Sequence, residues 1–260
     1  MTILDKIIEN KRREVSFASR STSVKDLEKS KLFKRSTISL SESLLNRNNS
    51  GIIAEFKRKS PSKGVINSFS SVGEVTAGYF REGASGISVL TDYQFFGGTN
   101  EDISSIRERS CFPVLRKDFI IDEYQVIESK SVGADMILLI AAVLEKEEIQ
   151  NLSILSRSLG MEVLLEIHEY EELDKVNHYI NIIGVNNRNL KTFEVKTEVS
   201  EILAEKIPDE FIKISESGIS SGLILKKLKL CGYNGFLIGE KFMSSPNPIA
   251  AFAEFVTETI

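Results

Sequence analysis

The chain has 260 residues, 42% of them hydrophobic, and its 37 acidic and 33 basic residues give a formal net charge of -4. This length fits either two small domains or one larger domain with a sizeable core. Because neither sign of charge is segregated along the sequence, the composition predicts no nucleic-acid surface and no membrane surface. Any anionic substrate must therefore be held by a local site.

Cysteine and histidine are both rare. The two cysteines, Cys111 and Cys231, are too few for a disulfide framework, and the amino terminus lacks a secretory pattern. The longest strongly apolar run, 136–144, is far shorter than the roughly 20 residues that span a bilayer. His168 and His178 do not share metal-ligand spacing with the cysteines. We therefore predict a cytoplasmic protein without a metal site.

Residues 1–48 differ in character from the rest of the chain. Apolar residues at Ile3, Leu4, Ile7 and Ile8 recur at helical spacing and predict an amphipathic helix that ends near Phe17. A serine-rich linker and a second short helical piece follow. This segment is too small to bury its own core. We interpret it as a helical extension of a catalytic domain that spans 49–260, the two forming one structural unit.

The first predicted strand, 51–56, stops abruptly at charged residues and then at a loop containing Pro61 and Gly64. Because side chains alternate along a strand, Glu55 and Lys57 share one face. A carboxylate and an ammonium would then project into the same small space. A solvated strand end with an ordinary ion pair gives the same pattern, so this strand alone decides nothing.

The same one-ended polarity recurs along the chain. Further strands are predicted at 86–90, 112–117, 135–140, 161–166, 181–186, 211–215 and 234–238. Four of them also finish in polar groups, namely Lys117, Glu166, Asn186 and Glu216. Polar carboxyl ends are typical of a parallel β/α barrel, whose site lies at that rim.

Helical patterns alternate with the strands. They are predicted at 72–81, 99–109, 123–131, 146–158, 169–177, 199–206, 221–230 and 248–257. Glycines stand where four of these helices should stop, at 83, 133, 160 and 232. The strands lack clean alternation, as expected when both faces are covered. The sequence thus predicts a (β/α)8 TIM barrel, with an open doubly wound sheet as the alternative because periodicity does not show closure.

The last two strand-to-helix loops predict a phosphate site. Gly218 follows the seventh strand, and Gly239 and Glu240 follow the eighth. Glycine lets backbone N–H groups approach an oxyanion, and a helix amino terminus adds its positive dipole end. These two loops form the phosphate site of many barrels. Ser60, after the first strand, offers a further hydroxyl, although it is also suited to a plain turn before Pro61.

Several segments together carry a family resemblance, and they lie in order along essentially the whole chain. They read IAEFKRKSPS at 53–62, SVLTD at 88–92 with FFGG at 95–98, LRKDF at 115–119, LE at 165–166, GVNNRNL at 184–190, SESGI at 215–219 and LIGE at 237–240. This set resembles the indole-3-glycerol phosphate synthase family of tryptophan biosynthesis. The resemblance includes the amino-terminal extension.

The resemblance implies a ring closure. The family converts 1-(2-carboxyphenylamino)-1-deoxyribulose 5-phosphate to indole-3-glycerol phosphate, with loss of CO2 and water and without metal or organic cofactor. An aromatic carbon attacks a ketone, so the ketone oxygen needs a proton donor. By resemblance Lys117 is that general acid. Lys57, Glu55 and Glu166 share carboxylate binding, dehydration and proton removal, in a division that the sequence does not fix.

Resemblance also implies the substrate contacts. They are Asn186, Arg188, Glu216, Ser217, Phe96 and Phe119, with the two phenylalanines as walls for the anthranilate ring. Asn186 and Glu216 match family positions that either bind substrate hydroxyls or orient the catalytic lysines. For Arg188 a structural salt bridge is an equal alternative. The amino-terminal helix is expected across the barrel mouth, the alternative being a position under the barrel. The expected partner is a small phosphorylated molecule bound by a monomer.

Two other function classes share part of this pattern. Another phosphosugar enzyme, such as phosphoribosylanthranilate isomerase, would share the phosphate loops, but an isomerase of that kind pairs a cysteine with an aspartate. Neither Cys111 nor Cys231 ends a predicted strand. A ligand-binding barrel without catalysis would not need charged strand ends, which are costly to bury unless they are used or paired.

Overall fold

Eight parallel strands close into a barrel in the computed structural model, which describes residues 2–107, 110–190 and 192–259. The strands are β1 (Ile52–Phe56), β2 (Gly86–Leu90), β3 (Val114–Lys117), β4 (Met136–Ile140), β5 (Glu162–Ile167), β6 (Ile182–Asn186), β7 (Ile212–Glu216) and β8 (Gly235–Ile238). Consecutive strands are paired, and β8 pairs with β1. The predicted TIM barrel is confirmed, and the open-sheet alternative is wrong.

Helices form the outer ring between the strands. They are Val72–Arg81, Asn100–Arg107, Glu123–Ser131, Lys146–Ser158, Glu198–Ala204, Gly222–Leu230 and Pro248–Thr259. The predicted end of the second helix, at 108–109, lies outside the described residues. The predicted helix at 169–177 is wrong: the segment is a short 3-10 helix, Tyr170–Lys175. There Glu172 turns back to accept the backbone N–H of His168 at 2.6 Å, which keeps the segment close to the end of β5.

The amino-terminal helix runs from Ile3 to Ser21, four residues beyond the predicted end. Thr2 and Asp5 form a reciprocal capping box at its start. Two short helices follow, Val24–Leu27 and Leu40–Leu45. Loops at the mouth of the barrel also contain a small antiparallel pair, Lys59–Ser60 with Gly64–Val65, and the short helices Tyr93–Phe96 and Glu240–Met243.

The extension closes the barrel at its amino end. Leu40 and Leu44 belong to the apolar cluster that fills the barrel interior. The first residues of β2 and β8 are Gly86 and Gly235. A Cβ on Gly86 would collide with Leu40, and a Cβ on Gly235 would collide with Leu44. Leu40 is fully buried. The extension and the barrel therefore share one apolar core. The boundary between them at residue 48 stays a prediction.

A buried carboxylate ties the extension to this end of the barrel. Asp135 forms ion pairs with Arg107 and Arg35 at the amino end of the barrel. It also accepts the backbone N–H groups of Ile38 at 2.9 Å and Val114 at 2.8 Å. Burial lowers the pKa of Arg107 to about 10, although Asp135 opposes that shift. Asp135 is thus one anion that holds two cations and two chain segments.

Replacement of Asp135 by Asn should destabilise the fold strongly. Two guanidinium groups would lose their shared carboxylate, and removing one partner of a buried ion pair costs about 3–5 kcal/mol. Urea unfolding measures the loss. The matched control is Glu194→Gln, which removes a 60% exposed carboxylate from its ion pair with the equally exposed Lys196 and should leave the midpoint unchanged. Equal midpoints for both variants would show that Asp135 is not a structural hub.

Candidate active site

A cavity of about 580 Å³ opens at the carboxyl ends of the strands. It is lined by all of the residues that the sequence predicted for the site: Glu55, Lys57, Ser60, Phe96, Lys117, Phe119, Glu166, Asn186, Arg188, Glu216, Ser217, Gly218, Gly239 and Glu240. Residues separated by up to 185 positions in sequence thus meet in one space. Their chemical roles stay predictions.

Lys117 is the centre of the charged wall. Its Nζ donates to Glu166 Oε2 and to Glu216 Oε2, both at 2.8 Å. The other oxygen of Glu166 accepts the Asn186 side-chain amide at 3.1 Å. These four side chains come from the ends of β3, β5, β6 and β7. The pairing of Asn186 with Glu216 in the strand register keeps the two beside each other.

The three charges in this cluster have divergent proton affinities. Burial alone would lower the pKa of Lys117, but Glu166, Glu216 and Glu55 outweigh it and raise that pKa. Burial alone would raise the pKa of Glu166, but Lys117 and His168 lower it to about 2. Burial and the charge of Glu166 raise the pKa of Glu216 to about 7, although Lys117 opposes them. The charge of one buried ammonium does not fully compensate the charges of two buried carboxylates.

A second ion pair lies on the β1 side of the cavity. Lys57 Nζ donates to Glu55 Oε1 at 2.6 Å, as the alternation along the strand predicted. Gly239 makes room for this carboxylate, because a Cβ there would lie 2.8 Å from the Glu55 Cβ. Gly184 does the same for the carboxylate of Glu216.

Apolar side chains form the opposite wall. Phe96 and Phe119 lie with ring centroids 6.1 Å apart. Ile3, Leu4 and Ile7 of the amino-terminal helix also line the cavity. The prediction that this helix lies across the mouth is confirmed. A hydrophobic cover excludes water from charges beneath it and strengthens their interactions.

Lys11 was missed as a site-supporting residue. Its buried Nζ lies 2.9 Å from Asp92 Oδ2 and 2.9 Å from Asp118 Oδ1. Asp92 caps the short helix that carries Phe96, and Asp118 stands between Lys117 and Phe119. Burial opposes the charged form of Lys11, yet the two aspartates raise its pKa. The signal in the sequence was a lysine four residues after Ile7, on the apolar face of the helix.

Three of the predicted phosphate residues, Gly218, Gly239 and Glu240, follow β7 and β8, whereas Ser60 follows β1. Ser217 and Gly218 both adopt left-handed backbone, with φ of 65° and 78°. For serine that conformation is strained, which is common at functional sites. Arg188 lines the cavity. Its Nη2 lies 3.6 Å from Glu240 Oε2, so the salt bridge that was the alternative role of Arg188 is also present. The Glu240 carboxylate is also 3.5 Å from Lys63.

A closed β/α barrel with an acid/base cluster at its mouth defines the class of TIM-barrel enzymes. Solved structures agree on the fold. A structure described as the tryptophan synthase α2β2 complex from Pyrococcus furiosus matches with a TM-score of 0.59 and 12% identity, covering 82% of this chain and 98% of that one. The tryptophan synthase α subunit from Legionella pneumophila matches at 0.63 and 13%, covering 85% and 96%.

Sequence comparisons narrow the class to one family. The family model described as indole-3-glycerol phosphate synthase matches residues 4–255. Relatives of that name are 46% identical over 254 residues in Bacteroides thetaiotaomicron, 40% over 260 in Polaromonas naphthalenivorans and 38% over 256 in Albidiferax ferrireducens. Each alignment covers at least 97% of both proteins. The chain belongs to the indole-3-glycerol phosphate synthase family, a carboxy-lyase family of tryptophan biosynthesis.

The described part of the chain contains neither a membrane-spanning helix nor a cluster of metal ligands. No helix there is long and apolar enough to cross a membrane. Within the same residues, no three histidine, cysteine or acidic side chains are placed to hold a metal ion.

Glu216 should titrate near neutrality in the free protein. Its native pKa of about 7 exceeds the ordinary value of 4.5, so the folded state binds an extra proton between these values. The contribution of Glu216 to stability therefore falls as pH rises through that window. Infrared difference spectra should show a protonated carboxyl band that disappears around pH 7 and is absent in Glu216→Gln. The Glu240→Gln variant is the control, and a band unchanged in Glu216→Gln would contradict the assignment.

Loss of the Lys11 charge should loosen the amino-terminal helix. In Lys11→Met, Asp92 and Asp118 face each other without their ammonium, at a cost of about 3–5 kcal/mol. Hydrogen exchange of amides in Ile3–Ser21 should accelerate by at least about 100-fold, the factor that corresponds to about 3 kcal/mol. Arg13→Met is the control, because that side chain is 76% exposed on the same helix. Equal exchange in the two variants would exclude the anchoring role.

Proposed function

We propose that the residues lining this cavity catalyse closure of the indole ring. The substrate is 1-(2-carboxyphenylamino)-1-deoxyribulose 5-phosphate, and the products are indole-3-glycerol phosphate, CO2 and water. The observation that carries the proposal is the Lys117 ammonium held between two buried carboxylates. It lies in a cavity that has aromatic side chains on one side and glycine-containing loops on the other. Family membership supplies the reaction, and the geometry supports the roles of these residues.

Lys117 acts as general acid in the condensation step. An ammonium has three donors, and two of them point to Glu166 and Glu216. The third is left for the substrate ketone oxygen, on which negative charge develops as the ring carbon attacks. Placing a fixed cation at that point stabilises the transition state. Departure of CO2 then restores the aromatic ring.

Dehydration needs a second donor and a base. Lys57 holds the anthranilate carboxylate at the start and gives a proton to the departing hydroxyl later, both of which suit an ammonium beside Glu55. Glu166 takes the proton whose removal forms the pyrrole double bond. Its low pKa keeps it ionised at neutral pH, so it is ready to accept.

Binding groups orient the substrate around these charges. The centroids of Phe96 and Phe119 are too close to admit a ring between them, so the anthranilate ring packs against their outer faces. The phosphate binds at Ser60 and the backbone of Gly218 and Gly239. Glu240 contributes its backbone N–H, because its carboxylate is engaged by Arg188 and Lys63. Asn186 and Ser217 contact the sugar hydroxyls.

The isomerase alternative has no support in the cavity. The cavity-lining residues include neither Cys111 nor Cys231.

We also propose a monomeric enzyme that works in the cytoplasm. Sedimentation equilibrium at micromolar concentration tests this, and a stable dimer would contradict it.

Lys117→Met should abolish most turnover. A general acid contributes about 10²–10⁴-fold to rate, so kcat/KM should fall by at least that factor while the fold is retained. The chain contains no tryptophan, so indole fluorescence reports product directly. The matched control is Lys226→Met, which removes an exposed lysine from the outside of the barrel. Near-normal product formation by Lys117→Met would refute the role of Lys117.

A further inference from the structure

His168 is a buried titratable residue that the mechanism above leaves unused. It follows β5 two positions after Glu166, and its side chain is 11% exposed. Its Nε2 lies 3.4 Å from Glu166 Oε1, and its Nδ1 lies 3.7 Å from Glu172 Oε2. Neither ring nitrogen makes a hydrogen bond within the part of the chain that the structure describes. The ring therefore lies between two carboxylates and is bound firmly to neither.

The charged groups around His168 favour its cationic form. Glu166 faces it from its own strand, Glu172 from the 3-10 helix and Glu216 from β7, with Lys117 behind Glu166. Burial alone would lower the pKa of His168, but the three carboxylates raise it above its ordinary value of 6.5. Burial alone would raise the pKa of Glu172, but His168 lowers it. The imidazole is thus a buried titratable group whose pKa lies above its ordinary value and which can carry a proton between the carboxylates.

The proposed reaction requires a proton from water in every turnover. The substrate carboxylate leaves as neutral CO2, so substrate plus one proton gives indole-3-glycerol phosphate, CO2 and water. Two protons are donated, one to the ketone oxygen and one to the departing hydroxyl, and only one is removed from carbon. Substrate bound in this cavity would lie against Ile3, Leu4 and Ile7 of the amino-terminal helix, which line it.

We propose that His168 relays this proton from the surface at Glu172 to Glu166 and so recharges Lys117, an inference that rests on the proposed function. The Nε2–H bond of His168 breaks and an O–H bond forms on Glu166 Oε1. The carboxyl group rotates and passes the proton to the neutral amine of Lys117. The imidazole turns its empty nitrogen outward and takes a proton from water beside Glu172, whose side chain is 15% exposed.

Glu172 also forms a hydrogen bond that places its carboxylate next to the His168 ring. Its Oε2 accepts the backbone N–H of His168 at 2.6 Å, which fixes the carboxylate beside the ring. A glutamine at 172 keeps that hydrogen bond through its amide oxygen and removes only the charge. Glu171, its exposed neighbour in the same 3-10 helix, offers a matched control.

Steady-state kinetics across neutral pH test the relay, with indole fluorescence as readout. His168→Asn and Glu172→Gln should each lower kcat by about tenfold, less than the loss of a general acid, with KM unchanged. In the wild type, kcat should fall as pH rises through the raised pKa of His168, and this limb should be missing in His168→Asn. Added imidazole should restore turnover to His168→Asn and not to Lys117→Met.

Two further comparisons separate a relay from a fixed charge. His168→Lys keeps a cation beside Glu166 but does not titrate near neutrality, so it should stay as slow as His168→Asn. Glu171→Gln should match the wild type. Full activity in His168→Lys, or in His168→Asn without imidazole, would overturn the relay. If the wild type forms no indole product from this substrate, the proposed function itself has failed, which is a distinct result.

Discussion

A buried ammonium must be paired, and the pairing of Lys117 with two carboxylates is the interaction on which this site depends. In a low-dielectric cavity an unpaired charge is expensive, so Lys117 needs Glu166 and Glu216. With all three ionised, the cluster carries one excess negative charge. The raised pKa of Glu216 is the consequence, because burial and its neighbouring carboxylates leave that anion undercompensated. One site therefore holds an acid, a base and a group near its titration point.

The barrel makes such a cluster possible without local sequence proximity. Parallel strands deliver their carboxyl-terminal side chains to one rim, where Lys117, Glu166 and Glu216 meet from β3, β5 and β7. The extension covers both ends of this arrangement. Leu40 and Leu44 close the bottom, and the helix Ile3–Ser21 covers the mouth. Stability and catalysis are thus joined in the same short segment.

Much of this was predictable because the relevant signals are local. Apolar runs ending in Glu55, Lys117 and Glu166 gave the strands and their polar rim, and the alternation of Glu55 and Lys57 gave their ion pair. Contacts between distant segments were not predictable. Lys11 lies in the predicted amphipathic helix, but its two aspartate partners lie 81 and 107 positions further along the chain. The contact of Glu172 with the backbone of His168 was not predictable either, because it forms in a 3-10 helix where the sequence predicts an ordinary helix.

Nitrogen-15 NMR of the Lys117 side chain during a pH titration tests the central claim most directly. Strong pairing with buried carboxylates predicts that the Lys117 ammonium remains protonated beyond the ordinary lysine pKa of about 10.4. A Lys117 signal that titrates together with the exposed lysines, or earlier, would contradict the account. Burial would then dominate, and the two glutamates would not hold the charge on which the chemistry depends.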